Sequence, residues 1–256
     1  MKKKVIIYSD ELKDEFSPTV LKSVHIGDDY EYIKRTAFKR FTSFFWYYVF
    51  AMPLAFIYTR LRFGVRVVGK EKLRAVQGGY FLYGNHTQPI GDAFIPHTFD
   101  VKRKKHTVVH SGNLRAPILG RITPALGALP LPDTLRAARN FKCAIESVIS
   151  DGGAVIIYPE AHIWPFYTDI RSFTDESFSY PARLGAPVFC FTNVYKRRLV
   201  GARIITYIDG PFYPSEELSL PERRKALRDR VYNTMKNRAA ESDFEKIKYI
   251  REEDSK

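Results

Sequence analysis

Residues 81–96, FLYGNHTQPIGDAFIP, contain the residue types of a general base and its orienting acid. An apolar run ends at Gly84, His86 follows it, and Asp92 lies beyond a Pro-Gly turn. A carboxylate bound to one imidazole nitrogen fixes the tautomer and leaves the other nitrogen free as a base. Such a base can remove a proton from a hydroxyl that attacks an acyl carbon. The spacing leaves a second interpretation open, in which Asp92 caps a helix and His86 only hydrogen-bonds the loop.

The sequence shows no nucleophile for a covalent acyl-enzyme. It contains no Gly-x-Ser-x-Gly elbow, and Cys143 and Cys190 have neither a recognisable catalytic context nor a metal-ligand or disulfide spacing. We therefore expect no metal, and direct transfer to a substrate hydroxyl is the simpler chemistry. Both cysteines lie in apolar segments and are predicted to be buried, reduced thiols, which favours a reducing compartment.

The elements that would position His86 alternate between strand-like and helix-like runs. Strands are predicted at 65–68, 80–84, 107–109, 154–158, 187–191 and 202–208, and the clearest helix between them at 134–150. This order predicts an α/β fold with a mixed, largely parallel sheet flanked by helices. His86 then follows the carboxyl end of a strand, which is where open α/β sheets bind ligands.

The C-terminal region carries a helix signature. Ser219 precedes Glu222 by three residues, which is a capping-box spacing, and Leu227, Val231 and Met235 then recur every four residues as one apolar stripe. The charged tail after this helix is expected to fray.

An uncharged aromatic run at 44–58, FFWYYVFAMPLAFIY, precedes the alternating region. As a helix it would span about 23 Å, short of the ~30 Å hydrocarbon core, and Pro53 would kink it. Basic residues flank it on both sides: Lys34, Arg35, Lys39 and Arg40 before it, and Arg60, Arg62 and Arg66 after it. These flanks favour insertion into one leaflet over a buried core helix, which would not need them.

The net charge of +13 indicates an anionic partner. Anionic membrane lipids, nucleic acid and phosphorylated substrates all fit a basic surface. A nucleic-acid-binding protein is disfavoured, because the aromatics of 44–58 cluster in one uncharged run and do not alternate with cations. We therefore expect anionic lipids and no nucleic acid as partners.

Three blocks of the sequence, in order, resemble the glycerolipid acyltransferases of the lysophosphatidic acid acyltransferase type. NHTQPIGD resembles the Asn-His…Asp signature of that family, VIIYPEAHIWP at 155–165 its strand-borne Pro-Glu-Gly block, and 170–190 the segment that follows. The resemblance covers about residues 80–192, and the aromatic run resembles the membrane-docking element of the family.

The resemblance implies roles for several residues. His86 would be the base, Asp92 its orienting acid, and Asn85 and Glu160 would belong to the substrate-binding site. The acyl donor would be a thioester of coenzyme A or acyl carrier protein, used as a substrate, with no resident cofactor. Five residues separate His86 from Asp92, whereas the family usually has four; a turn can absorb the extra residue.

The acceptor phosphate needs a cation, because this sequence lacks the arginines that hold it in the family. Arg171 is the first candidate, eleven residues after Glu160 and two before Phe173, which matches an aromatic of the family. Arg136 is the second, at the start of a predicted helix whose dipole also attracts anions. Arg115 in SGNLRAP is a third, although a solvated loop there is equally consistent with the sequence.

The sequence thus predicts an O-acyltransferase that transfers a fatty acyl group from a thioester to a hydroxyl of a lysophospholipid or glycerol phosphate. It would act at the cytoplasmic face of a membrane, in phospholipid biosynthesis or remodelling. The alternative is a non-catalytic membrane-binding protein that keeps the fold. The expected organisation is an N-terminal extension (1–33), a membrane-associating segment (34–64), the α/β domain (65–242) and a charged tail (243–256).

Overall fold

The structure is a computed structural model that describes residues 4–17, 22–33, 36–115, 119–199 and 201–255. Lys34 and Arg35 of the predicted basic flank lie outside these ranges. The strands are β1 (Lys4–Tyr8), β2 (Arg66–Val68), β3 (Tyr80–Gly84), β4 (Lys105–Val109), β5 (Ala128–Pro130), β6 (Ala154–Ile157), β7 (Val188–Arg197), β8 (Ala202–Phe212) and β9 (Ile247–Arg251). The α-helices are α1 (Ala37–Phe44), α2 (Met52–Phe63), α3 (Glu71–Arg74), α4 (Leu119–Ile122), α5 (Leu135–Ser150), α6 (Ser179–Leu184) and α7 (Leu220–Ala239).

The main sheet of the described chain has seven strands in the order β2-β8-β7-β3-β6-β4-β5. Its neighbouring strands are parallel except for β7 and β8, which pair in antiparallel fashion. The prediction of a mixed, largely parallel sheet flanked by helices is confirmed. Strand β5 was not predicted, since its three residues give too short an alternation to recognise.

The centre of the sheet is apolar on both faces because helices or turns cover each face. Phe81 packs with α5 and α7 on one face, and Leu82 packs with Ile95 and Phe99 on the other. All five residues of β3 are buried. The functional consequence is a rigid strand that ends at Gly84, directly before His86.

Helix α7 has the predicted N-terminus and apolar stripe. The Ser219 N–H donates to Glu222 Oε2 at 3.0 Å, which completes the capping box. Leu227, Val231 and Met235 are all buried against the sheet.

The charged tail does not fray as the sequence suggested. Strand β9 pairs in parallel with β1, with Lys4 opposite Ile247 and Tyr8 opposite Arg251. The Tyr249 ring stacks on Trp164, with a centroid separation of 5.0 Å. The first and last strands of the described chain therefore pair with each other, a non-local contact that composition alone does not reveal.

The cysteines differ from the sequence-based expectation in one respect. Cys190 is buried in β7, but Cys143 is exposed on α5. The helix directs Ala144 and Ile145 into the core and leaves Cys143 at the surface.

The aromatic run belongs to a longer helix than its composition predicted. Helical structure is continuous over Ala37–Phe63, 27 residues or about 40 Å at 1.5 Å per residue, and contains a π-helical segment, Phe45–Ala51. That segment ends just before Pro53, and the Met52 N–H donates to Tyr47 O, five residues back. A π-turn accommodates a proline that cannot donate to the ordinary ladder.

One face of this helix packs on the domain and the other is exposed. Ser43, Tyr47, Met52, Ala55 and Thr59 are buried. The exposed large apolar side chains of the helix are Phe38, Phe41, Phe44, Phe45, Val49, Phe50, Leu54, Phe56, Ile57 and Leu61. Among the described residues this is the one helix long and apolar enough to associate with a membrane. A core helix would instead bury these side chains.

Candidate active site

His86 and Asp92 are hydrogen-bonded at the carboxyl edge of the sheet. His86 Nδ1 lies 2.8 Å from Asp92 Oδ2. The His86 side chain is 24% exposed and that of Asp92 only 3%. With the Nδ1–H donated to the carboxylate, Nε2 carries a lone pair and has no hydrogen-bond partner within the described chain. The five-residue spacer thus brings the two groups together through a turn.

The turn places Asp92 differently from the expected helix cap. Asp92 lies inside a short 3-10 segment, Gly91–Ala93, and no α-helix follows because a second 3-10 segment, Ile95–Thr98, contains Pro96. Its carboxylate accepts from the Gln88 N–H at 2.9 Å as well as from His86. The carboxylate therefore closes the loop back onto the histidine and does not cap a helix.

Neighbouring strands hold the other atoms of Asp92. Asn193 of β7 donates from Nδ2 to Asp92 Oδ1 at 3.4 Å, and Thr206 of β8 donates to Asn193 Oδ1 at 2.7 Å. The Tyr158 hydroxyl donates to the Asp92 carbonyl at 2.6 Å. The Tyr158 ring also stacks on the His86 ring, with centroids 4.5 Å apart. These contacts leave the imidazole little freedom to rotate away from the carboxylate.

The pKa of the Asp92 carboxyl is raised above its ordinary value by burial, and the hydrogen bonds from His86 and Gln88 oppose this shift. A raised pKa means that Asp92 takes up its proton at a higher pH than an exposed aspartate would. The charged, orienting form exists above that pKa and is lost as the pH falls through it. Activity that depends on the His86–Asp92 pair should therefore decrease as the pH falls through the pKa of Asp92.

Asn85 makes structural contacts that leave its side chain no open position toward a substrate. It is 1% exposed, its Nδ2 donates to Asn193 O at 3.1 Å, and its Oδ1 accepts from the Asn193 N–H at 2.8 Å. The side chain thus continues the β3–β7 ladder for one more step. The structure places this predicted substrate-binding residue behind the histidine, as a support.

Arg171 also differs from the expectation of an open phosphate site. It is fully buried, and its guanidinium donates to Glu160 Oε2 from Nη2 at 3.1 Å and to the His162 carbonyl. The guanidinium also lies over the Trp164 ring, 4.9 Å from its centroid. Arg171 is therefore a structural ion-pair partner, because no face of it is left for a phosphate.

Glu160 lies at the same edge, just beyond β6, and is buried with its Oε1 unpaired in the described structure. Burial raises the pKa of Glu160 to about 7, against the opposing charges of Arg171 and His86. An unpaired buried carboxylate oxygen beside the histidine is costly unless a ligand or a proton satisfies it. Its position is consistent with the acceptor pocket that the resemblance implied.

The loop after Glu160 contacts the loop that carries His86 on one side and the N-terminal arm, residues 4–17, on the other. The N–H groups of Trp164 and Phe166 donate to the carbonyls of His86 and Thr87, at 3.2 and 2.8 Å. On its other side, Trp164 Nε1 donates to Asp14 O at 2.7 Å. The arm that carries β1 therefore supports the backbone of His86 through a single intervening loop.

Arg115 and Arg136 are exposed and follow the carboxyl ends of β4 and β5. Strand β4 is two positions from β3 and β5 is three, which at about 4.8 Å per strand places them roughly 10–14 Å to one side of His86. No described contact joins either arginine to His86 or Asp92. Both lie on the correct edge, and their role in binding phosphate stays a prediction.

Ala161 lies in a left-handed conformation, with φ of 60°. A residue with a Cβ atom is destabilised by about 1–2 kcal/mol in this conformation. Glycine has no Cβ and avoids this strain, although its greater freedom in the unfolded chain offsets part of the gain. We expect Ala161→Gly to raise the free energy of unfolding by about 0.5–1 kcal/mol, measured by urea denaturation. Gly78→Ala is the matched control in the opposite direction, since Gly78 has φ of 79° and open space around it. A destabilised Ala161→Gly protein would contradict this assignment of strain.

Several site residues were missed by the sequence analysis. Asn193 and Thr206 lie in strands recognisable only as apolar runs, and their contacts depend on which strands are neighbours. Tyr158 was recognisable as the last residue of a predicted strand, two before Glu160. The described residues contain no cluster of three or more His, Cys, Asp or Glu side chains that could hold a metal ion.

No protein-family model and no curated protein matches this sequence. Among solved structures, the 1-acyl-sn-glycerophosphate (LPA) acyltransferase PlsC from Thermotoga maritima has a similar fold. The match has a TM-score of 0.58 at 19% sequence identity, and covers 81% of this chain and 89% of that one. The resemblance found in the sequence blocks is thus accompanied by a resemblance of the whole domain. The chain has a fold like that of this LPA acyltransferase.

Proposed function

We propose that the protein is an O-acyltransferase that transfers a fatty acyl group from a thioester to a hydroxyl of a lysophospholipid or glycerol phosphate. The observation that carries the proposal is the His86–Asp92 pair, bonded at 2.8 Å with the second imidazole nitrogen unpaired in the described structure. This is the arrangement that a general base requires. The similar fold of an LPA acyltransferase supports the same reaction class.

In the proposed reaction, His86 Nε2 takes the proton of the acceptor hydroxyl while its oxygen attacks the thioester carbonyl carbon. Asp92 remains charged and stabilises the imidazolium. The C–S bond then breaks, the thiolate receives the proton from His86, and an ester forms. Atoms and protons balance without a resident cofactor, because the thioester of coenzyme A or acyl carrier protein is itself a substrate.

The acceptor is proposed to carry a phosphate. The net charge of +13 and the exposed Arg115 and Arg136 on the edge of His86 support an anionic substrate. The apolar face of the long helix supports an acceptor taken from a membrane, with the cytoplasmic face as the proposed location.

We test this function by incubating the purified protein with radiolabelled palmitoyl-CoA and a panel of lysolipids. We expect new diacyl lipid, most with lysophosphatidic acid, and none without protein. A panel of glycerol 3-phosphate, lysophosphatidylcholine and lysophosphatidylglycerol identifies the acceptor. If neither palmitoyl-CoA nor palmitoyl-acyl carrier protein yields an ester with any acceptor, the non-catalytic alternative replaces the proposal.

That alternative, a membrane-binding protein that has kept the fold, rests on a specific observation. The segment after Glu160 reads Ala161-His162, and His162 Nδ1 lies 3.1 Å from a carboxylate of the N-terminal arm, Glu15 Oε2. The arm thus occupies a position beside the proposed acceptor pocket. A protein without turnover that still binds anionic vesicles would fit this second function.

Membrane association should depend on the exposed face of the helix. We expect Phe41→Asp/Phe45→Asp to shift the protein from anionic vesicles to the supernatant in a sedimentation assay. Each replaced aromatic removes about 1.5–3 kcal/mol of membrane-binding free energy if its side chain is completely buried in the lipid. Each added acid is also repelled by the anionic lipid. The matched control is Leu135→Asp/Leu199→Asp, which adds two acids at exposed apolar positions outside the helix. Equal loss of binding in both proteins would show that net charge and not the helix face governs association.

A further inference from the structure

A cleft lies at the edge of the sheet opposite His86. Its volume is about 400 Å³, within the range of small-molecule sites. It is bounded by α1, by the turn before β4, and by the C-terminal half of α5 with Gly152 and Gly153 before β6. Because these segments precede β4 and β6, the cleft is at the amino edge. The cleft and His86 are therefore separated by roughly the length of β3, about 13–17 Å.

The cleft is cationic at its mouth. Arg40, Lys102, Arg103 and Lys104 line it, and Asp151 is the one acid among its described lining residues. Arg103 is already engaged with the carbonyls of Gly78 and Val76. In contrast, the side chains of Arg40 and Lys102 make no hydrogen bond or ion pair within the described chain. Two cations are therefore available to an anion without breaking an existing contact.

The walls of the cleft are apolar and continue into the exposed helix face. Phe44 and Tyr48 form one wall, and Leu129, Ala144 and Val148 form the other. Phe44 is 55% exposed and belongs to the aromatic face described above. A molecule held here would contact cations at one end and could lie along the aromatic face at the other.

We propose that this cleft binds the phosphate headgroup of an anionic phospholipid, at a site separate from the one that holds the acyl acceptor. The phosphate lies between Arg40 and Lys102, and the glycerol and first methylenes lie against Phe44 and Tyr48. Guanidinium and ammonium groups together suit phosphate oxygens, and the apolar walls select a lipid over a free ion. The site would add a headgroup contact to the membrane association of the exposed helix face.

Cys143 supplies a local reporter of occupancy. It is exposed and lies one helical turn from Ser147, which lines the cleft. Cys190 is buried, and burial raises its thiol pKa well above the ordinary value, so a maleimide fluorophore will label Cys143 selectively. The fluorophore reports lipid binding and not turnover. A protein that binds no lipid in the cleft can therefore be distinguished from one that does not transfer acyl groups.

The test titrates the labelled protein with dihexanoyl phosphatidic acid below its micelle concentration. We expect a saturable fluorescence change, and Arg40→Gln/Lys102→Gln should raise the dissociation constant at least about tenfold, since charge-assisted contacts are lost. Arg60→Gln/Arg62→Gln, at the far end of the same helical segment, removes the same charge and should change it less than about twofold.

The inference is overturned by three results. These are the absence of a saturable change, an equal effect of the two double variants, and an equal dissociation constant for inorganic phosphate, which would make the ligand a free anion. Retention of wild-type affinity in His86→Ala protein is expected, because the site is at the opposite edge. Loss of affinity in that variant is a fourth result that would overturn the inference, because it would place the lipid at the active site.

Discussion

His86→Ala protein should lose about 10²–10⁴-fold in kcat for acyl transfer, since that is what a positioned base contributes. The imidazole is 24% exposed at the edge of the sheet and stacks on Tyr158, so its removal should leave the fold intact. Steady-state kinetics with palmitoyl-CoA and the acceptor found for the wild type give the value, and circular dichroism checks the fold.

Asp92→Asn is the companion variant. It keeps the shape of the side chain but loses the charge that orients and stabilises the imidazolium, so we expect a smaller yet severe decrease in kcat. The acid side of its pH profile should also lose the contribution of the Asp92 carboxyl, whose pKa burial raises. If His86→Ala keeps near wild-type turnover with the fold intact, His86 is not the base.

Arg171→Ala should destabilise the protein by about 3–5 kcal/mol, the usual cost of leaving one member of a buried ion pair without its partner. Arg171 and Glu160 are both 0% exposed in their side chains, and their nearest atoms are 3.1 Å apart. Urea denaturation measures the loss. The acceptor KM should stay at the wild-type value, because a smaller folded fraction lowers Vmax and not KM.

The double variant Glu160→Leu/Arg171→Met separates pairing from packing. Replacing both charges with apolar groups of similar size removes the unpaired charge, so most of the lost stability should return. Arg136→Ala is the matched control for removing an exposed arginine and should change stability by less than about 0.5 kcal/mol. A stable Arg171→Ala protein with a raised acceptor KM would restore the sequence-based assignment of Arg171 to the phosphate.

The sequence specified the parts of the fold that depend on local pattern. Strand β3 was predicted from its short apolar run, and the start of α7 from Ser219 and Glu222, because apolar runs and capping boxes are properties of neighbouring residues. The pairing of β1 with β9 joins the two ends of the chain, and no local pattern encodes it.

The candidate site also has one part that follows from local spacing and another part that depends on contacts between distant segments. The spacing of His86 and Asp92 allowed a hydrogen bond through a turn, and the structure contains that bond. The burial of Arg171 and Asn85 depends instead on the N-terminal arm and on β7, which lie far from them in sequence. Its charge and its position after Glu160 made Arg171 a phosphate candidate, whereas its buried ion pair with Glu160 makes it a structural residue.

The most direct test of the central claim measures thiol release and ester formation together in one reaction with palmitoyl-CoA. The account predicts that wild-type protein releases one thiol for each ester formed, only when the acceptor is present, and that His86→Ala protein does neither at a comparable rate. Wild-type protein that forms no ester with any acceptor, or that releases thiol without acceptor and becomes acylated itself, would contradict direct transfer by the His86–Asp92 pair.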